Sequence, residues 1–386
     1  MKYLSGLRVL ELGQIVSGPM AGLILANLGA EVLKIEKPNV GDSLRNAPIT
    51  SHAFGSFSFF NMGKKSVCID LTQAEGREIF LKLVPTADVV IENMAPGTME
   101  RYKIDSKVLR GIKPDLLFAS IKGFIDGPYQ ERLAMDEPME ALGGLSYMTG
   151  LEGRPMRVGA SLIDIGAATY CVLGILLQLL AREKKKEVRN VTVGMFETIS
   201  FWMGQHMAYA CASGKAPLPL NTGIFKWAVY NYFQTLDQKT VFIGITSEKQ
   251  WKELCSRLEL DLGSMNEEER MKKRDSVLGT ISDAIGKLSL EQVETLLWDA
   301  KIPWAKLNTP ADLFNDPHLR GKLKTFKSLI DGVSYSLPLL PVSGSSVDLP
   351  PPRLGEHTLE VMLSLGLGKE RIMRLAKQGV LSLSST

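Results

Sequence analysis

Cysteine is scarce in this chain of 386 residues: Cys68, Cys171, Cys211 and Cys255 lie far apart and form no C-x-x-C pair. That spacing indicates neither a zinc site nor a disulfide framework. The four histidines, His52, His206, His318 and His357, are scattered without an H-E-x-x-H pair, so no metal is expected. No block of like charge occurs. Lys, Arg, Asp and Glu are interspersed and sum to +3, which offers nucleic acid no electrostatic footprint, while a mild cationic excess suits small anionic ligands. Near the N-terminus Arg8 and Glu11 break any signal-peptide core, and a reducing cytoplasm is the expected location. A long uninterrupted apolar run is also missing. The best candidate, Ile165 to Ala181, falls short of the ~20 residues of a membrane span and contains Gly166, Gly174 and Gln178. A buried central helix is the expectation there, and no membrane partner.

What is present reads as a globular protein with material for two domains at ~100–200 residues each. Hydrophobic residues make up 45% and charged residues 23%, both ordinary values. Strand-like and helix-like stretches alternate: strand Arg8–Gly13, helix Met20–Leu28 with Pro19 at its opening, strand Glu31–Glu36, strand Ser66–Leu71, helix Gln73–Val84, strand Asp88–Asn93, strand Leu116–Lys122 and, after the apolar run, strand Asn190–Glu197. Such alternation predicts an α/β fold with a parallel sheet covered on both faces. A βαβ start invites a dinucleotide reading, but the glycines are Gly13, Gly18 and Gly22, so G-x-G-x-x-G is absent. The crevice at the strand ends remains the expected ligand site. Ser213–Gly223 has linker composition, and a smaller α+β unit follows, with strands at Tyr230–Gln234 and Val241–Ile245 and helices at Ser247–Leu258, Met271–Ile285 and Ser289–Ala300.

Asp164 stands alone at the head of the apolar run. It can be an N-cap, which typically contributes ~1 kcal/mol. It can equally be a nucleophile kept ionised by the positive end of the helix dipole. Spacing leaves both open, and one geometry serves both.

Several stretches together resemble the family III coenzyme A transferases and their racemase relatives. They are Gly6–Leu12, Ser17-Gly-Pro-Met-Ala-Gly22, Leu28–Glu36, Gly41-Asp42, Lys64–Ser66, Ile91-Glu-Asn-Met-Ala-Pro-Gly97, Ser161-Leu-Ile-Asp164 and Leu354-Gly-Glu-His-Thr358. Their order and spacing, more than any single piece, carry the likeness over nearly the whole chain.

The resemblance implies that Asp164 attacks an acyl-CoA thioester and becomes an aspartyl-CoA thioester, which an acceptor carboxylate then discharges. CoA is a substrate, and no prosthetic group is implied. The first loop, Gln14–Pro19 with Val16, is expected near the thioester and pantetheine, and Asn93 and Asp136 are expected among the CoA-binding residues. Lys37 and Arg101 fall where relatives hold the CoA nucleotide, although plain surface solvation is the ordinary fate of such residues. The racemase branch carries a His-Asp pair where this chain has Met135-Asp136, and methionine cannot transfer a proton. No glycine-run loop lies between Gly214 and Gly244, which speaks against formate or oxalate as substrate. Arg45, Arg132, Arg157 and Lys226 are candidates for holding the second carboxylate of a dicarboxylic substrate. The implied architecture is a homodimer of interlocked rings: a large Rossmann-like domain from residues 1–212 and 334–386, a small domain from 227–324, and linkers at 213–226 and 325–333.

Overall fold

The computed structural model describes residues 2–51, 53–220 and 227–384. His52, Lys226 and the last part of the expected first linker lie outside them. Six parallel strands, β1 (Arg8–Glu11), β2 (Glu31–Glu36), β3 (Lys65–Ile69), β4 (Val89–Glu92), β5 (Leu117–Lys122) and β6 (Val191–Gly194), form the main sheet in the order β3-β2-β1-β4-β5-β6. A C-terminal strand, Leu381–Ser382, closes the β3 edge in antiparallel register. The α/β expectation and the mostly parallel sheet therefore hold.

Alternation along the strands builds two cores. Val9, Val32, Val89, Ile91, Leu117 and Ala119 face one side. Their neighbours Leu10, Leu33, Val67, Val90 and Phe118 face the other, as a period of two requires. The first side is covered by α1 (Ser17–Asn27) and part of α4 (Leu162–Glu183). The second is covered by α2 (Ala74–Leu83) and by the C-terminal helices Thr358–Ser364 and Lys369–Lys377. Two further helices position the site: α3 (Asp136–Leu142) and, after β6, α5 (Met195–Trp202), which gives way to α6 (Gly204–Ser213).

The central helix differs from expectation. It has 22 residues, long and apolar enough by length and composition to cross a bilayer. Only one face, Ile163, Gly166, Ala167, Ala168, Cys171, Val172 and Ile175, is buried in the sheet core. The stripe Leu173, Leu177 and Leu180 on the other face is exposed. A buried central helix is thus half right.

The chain divides into two compact units, residues 1–217 with 321–386, and residues 218–320. The second unit has three antiparallel strands, β7 (Tyr230–Gln234), β8 (Thr240–Gly244) and β9 (Trp304–Lys306), and a core around Trp251, Ile281 and Leu297. Where one helix was expected from Met271, there are two, Glu267–Lys272 and Arg274–Ile285. In the first unit, β10 (Leu323–Lys327) and β11 (Ser334–Pro338) pair as a hairpin. The stretch 325–333, expected as a linker, is the end of β10 and the turn of that hairpin.

Under the C-terminal ends of β1 and β2 lies a buried network of charge. Lys34 Nζ reaches Glu11 Oε1 and Asp42 Oδ2, each at 3.0 Å, and donates to the Gly13 carbonyl at 2.8 Å. Lys64 Nζ lies 2.6 Å from Glu11 Oε2 and donates to the Pro19 carbonyl at 2.7 Å. Glu36 binds Arg45 at 2.7 Å and accepts from the Ser66 hydroxyl at 2.6 Å. Burial opposes the charge on Lys34, but Glu11, Asp42 and Glu36 outweigh it and hold the ammonium well above its ordinary value. Burial brings Lys64 down to about 8, with the neighbouring Lys34 adding to the effect and Glu11 opposing it. Gly22 leaves room for this network, since a Cβ there would lie 1.8 Å from Glu11 Oε2. Replacing Lys34 with methionine would leave Asp42 without its ion-pair partner and Glu11 with Lys64 alone, so we expect a loss of about 3–5 kcal/mol. Denaturant midpoints of the two proteins check this; equal midpoints would show the network to be neutral.

Candidate active site

In the order β3-β2-β1-β4-β5-β6 the connections run outward in opposite directions from β1, so the loops after β1 and β4 diverge and leave a crevice at the carboxyl ends. A cleft of about 520 Å³ lies there. Its walls come from Gln14–Ser17 after β1, from Asn93–Pro96 with Thr98 and Tyr102 after β4, from Ile121–Gly123 at the end of β5, from Arg132–Glu137, and from Ser161 and Asp164 at the head of α4.

The loop after β1 is held in an unusual shape. Ile15 has φ +65°, a left-handed conformation that costs a non-glycine residue roughly 1–3 kcal/mol. Its N–H donates to the Asp42 carboxylate, the nearer oxygen at 3.2 Å, which ties the loop to the charge network. Asn93 clamps the other side: Oδ1 accepts from Gln14 N–H at 2.9 Å, and Nδ2 donates to the Gln14 carbonyl at 2.9 Å and the Ser17 hydroxyl at 3.0 Å. Gly13 and Gly18 pack backbone to backbone, and a Cβ on Gly13 would stand 2.7 Å from the Gly18 Cα. These glycines shape the turn in place of a dinucleotide fingerprint.

The N-cap reading of Asp164 is corrected. Ser161 occupies the N-cap position, its side chain makes no capping bond, and Asp164 sits in the first turn of α4. The cap comes instead from Asp136, whose Oδ1 accepts the Asp164 N–H at 2.9 Å and which also accepts from Ile163 N–H. Those two N–H groups are therefore occupied and are not free oxyanion donors. The expectation that the helix end simply keeps Asp164 ionised is corrected too. Burial, aided by the negative charge of Asp136, pushes its carboxyl up to about 7, while a hydrogen bond from the Ser17 hydroxyl opposes the shift.

The cleft brings together Val16, Asn93, Asp136 and Asp164. Met135 lines it as well, exposed at the start of α3. Lys37 and Arg101 are exposed and outside the lining. Arg101 flanks it, with its guanidinium 5.5 Å from the Tyr102 ring and bonded to Thr98 Oγ1 at 3.3 Å. Of the candidate carboxylate-binding cations, Arg45 is consumed in the buried network and Arg157 pairs with Glu137 at 3.1 Å. Arg132 lines the cleft. Sequence reasoning assigned no role to Ser17, Asp42, Lys122 or Glu140. A charge embedded in an apolar strand, as in Val-Leu-Glu-Leu and Val-Leu-Lys-Ile, was the available signal that buried partners such as Asp42 exist.

With this geometry in hand, comparison with known proteins is decisive. The model of CoA-transferase family III matches residues 4–358. The chain belongs to that family. This CoA-transferase is 32% identical to the succinyl-CoA–L-malate CoA-transferase alpha subunit of Chloroflexus aurantiacus, over 98% of this chain and 92% of the relative. It is 32% identical to the succinyl-CoA:mesaconate CoA-transferase of Haloarcula hispanica, over 95% and 98% of the two chains. Among solved structures, a CAIB/BAIF family protein from Brucella suis superposes with a TM-score of 0.84 at 28% identity, covering 94% of this chain and 99% of that one.

The raised Asp164 carboxyl has a sign that can be checked. The unfolded chain releases this proton in the ordinary carboxylate range, whereas the folded transferase holds it to about 7. Its contribution to stability is therefore full at low pH and is lost as pH climbs from that range through about 7. Asp164→Asn removes the penalty, so above neutrality the variant should be more stable by about 1–3 kcal/mol, less than the full shift implies because the carboxyl keeps some solvent. Denaturant midpoints across pH test this. A stability gap that is widest in acid would overturn it.

Proposed function

We propose that the protein moves CoA between dicarboxylic acids through a covalent thioester on Asp164. A carboxylate oxygen of Asp164 attacks the thioester carbonyl carbon of the donor, the C–S bond breaks, and CoA leaves as its thiolate while Asp164 and the donor acyl group remain joined as a mixed anhydride. The thiolate attacks the Asp164 carbonyl carbon, and the donor acid departs as its carboxylate. The acceptor carboxylate then runs both steps in reverse, with no net proton change. The observation that carries this reading is the Asp164 carboxyl at the cleft end of α4, which burial and the charge of Asp136 push up to about 7 and so make more basic than an ordinary carboxylate. The first turn of α1, which lacks a side-chain cap, borders the same cleft, and its leading N–H groups suit a developing oxyanion.

Dicarboxylates are favoured by the malate and mesaconate named for the two relatives and by the charges in the cleft. Two cations line it. Lys122 is held by Glu92 at 2.8 Å and by the Met94 carbonyl at 2.9 Å, whereas Arg132 has no carboxylate partner among the described residues. Arg132 is therefore the group assigned to the distal carboxylate. Arg132→Leu should lower the kcat/KM ratio of succinate to butyrate as acceptors by about 10–100-fold, the worth of a charge-assisted pair of about 1.5–3 kcal/mol. An unchanged ratio removes Arg132 from the role.

A second copy of the chain completes the reading. The exposed stripe of α4, with Leu173 at 51% and Leu177 at 56%, and Phe201 of α5 at 74% present apolar side chains of the kind a partner surface covers. The homodimer, interlocked as the resemblance implies, with a large domain from both chain ends and a small inserted one, is the arrangement we assign to it. Asp164→Ala should still sediment as a dimer, yet yield no enzyme-CoA adduct when incubated with succinyl-CoA and trapped with borohydride for mass spectrometry. Near-normal turnover would end the nucleophile assignment, and a sedimenting monomer would end the dimer.

A further inference from the structure

Helix α3 carries Asp136 at its first residue and Glu140 one turn later, and side chains four apart share a helix face. Both are buried, Glu140 completely. The nearby cation Arg157 is taken by Glu137. Glu140 Oε2 accepts the Val158 N–H at 3.0 Å, while Oε1 is buried and receives no N–H or hydroxyl donor. On that shared face the unpartnered Glu140 Oε1 is left with the Asp136 carboxyl as its polar neighbour. Carboxylates only accept, so a hydrogen bond between the two requires a proton. Asp136 already accepts from the N–H groups of Ile163 and Asp164, which favour its charged form. Glu140 has a single backbone donor and no solvent, so the proton belongs on Glu140.

We propose that Glu140 is a positioning residue: it holds a proton on Oε1 and donates it to Asp136, which keeps Asp136 charged and fixed as the cap of α4 beneath the Asp164 carboxyl. Burial, with the charge of Asp136, pushes the Glu140 carboxyl up against the pull of the Val158 N–H, in keeping with this arrangement. The charged groups around the cluster are Asp136, Glu137 with its partner Arg157, and Asp164; α5, which packs on α3, adds Glu197, whose carboxylate accepts the Ile125 N–H at 3.3 Å. The packed helix Leu145–Thr149 adds none. The catalytic part of the proposal rests on Asp164 as the nucleophile; the protonation does not.

Two substitutions separate the possibilities. In Glu140→Gln the amide oxygen can accept from Val158 and the amide N–H₂ can donate to Asp136, so kcat should stay within about threefold and the pH midpoint of adduct formation should not move. Glu140→Met removes the donor, and misplacing the cap should cost kcat about 10–100-fold with little change in KM for the acyl-CoA. Its pH midpoint should fall, because Asp136 then takes up the proton and no longer raises Asp164. If Glu140 is instead ionised, Glu140→Gln deletes a charge and lowers the midpoint, which overturns the proposal, as does equal damage from both substitutions. Should Glu140→Met fail to fold, the Glu140→Gln profile alone decides. An infrared difference spectrum of wild type against Glu140→Gln at neutral pH should contain a protonated carboxyl band that moves on isotopic labelling of glutamate. Absence of that band overturns the proposal even if Asp164 is no nucleophile, whereas its presence alongside an active Asp164→Ala variant would count against the nucleophile alone.

Discussion

Everything in the cleft depends on a group of charges that never meets water. Lys34 on β2 and Lys64 just before β3 stand under the first loop, and they neutralise Glu11 and Asp42 where no water reaches, while Arg45 neutralises Glu36 beside them. Such a group contributes little net stability and much specificity of position, because any displacement leaves an unpaired buried ion. The position that matters is that of Asp42. One of its carboxylate oxygens neutralises Lys34, and the same group holds the N–H of Ile15 in a conformation the residue would not choose. The strain of the loop is thereby offset by the electrostatics beneath it, and Val16 and Ser17 are delivered to the cleft wall.

The opposite wall is built on a different principle. There, three carboxyl groups gather with no cation among them, Asp136 and Glu140 buried and Asp164 partly so at the cleft. The first wall cancels charge and the second concentrates it. A carboxylate in water is a weak nucleophile because it is well solvated and weakly basic. Withdrawing solvent and adding a like charge raises the basicity of Asp164, while the Ser17 hydroxyl from the first wall keeps part of the charge in place. The two walls thus meet chemically at one hydrogen bond.

Much of this was legible in the residues. Runs such as Val-Leu-Glu-Leu and Glu-Val-Leu-Lys-Ile-Glu declare strands by β-branched content, and β2 begins and ends where the pattern says it should. Asp164 was visible as a candidate because it heads the apolar run, whereas Asn93 and Val16 entered only as what the family resemblance implies, and all three line the cleft. What was hidden is non-local. The cap of α4 comes from Asp136, 28 residues upstream, and nothing in the Ser161–Asp164 stretch announces it. Arg45 reads like any loop arginine until β2 brings Glu36 against it. The Thr325–Ser336 pairing of the hairpin is obscured because its strands are polar and half exposed, without the alternation of a core strand. The exposed leucine stripe of α4 cannot be told from its buried stripe by composition, since both are apolar and only packing separates them.

The closing of the sheet edge bears on how the chain is made. Ser66, which steadies Glu36, is itself bonded by the N–H of Gly355; Arg45 donates to the carbonyl of Pro352 at 2.9 Å; and β3 is sealed by Leu381 and Ser382. During synthesis these partners emerge last, after residues 218–320 have been produced as a separate compact unit. The nascent sheet therefore carries its buried charges incompletely paired until the stretch from Pro352 to Ser382 has been made, and the loop at the cleft gains its final support only then. A chain ending before Pro352 would lack those braces, so the shape of the cleft loop is coupled to residues more than 300 positions later in the sequence.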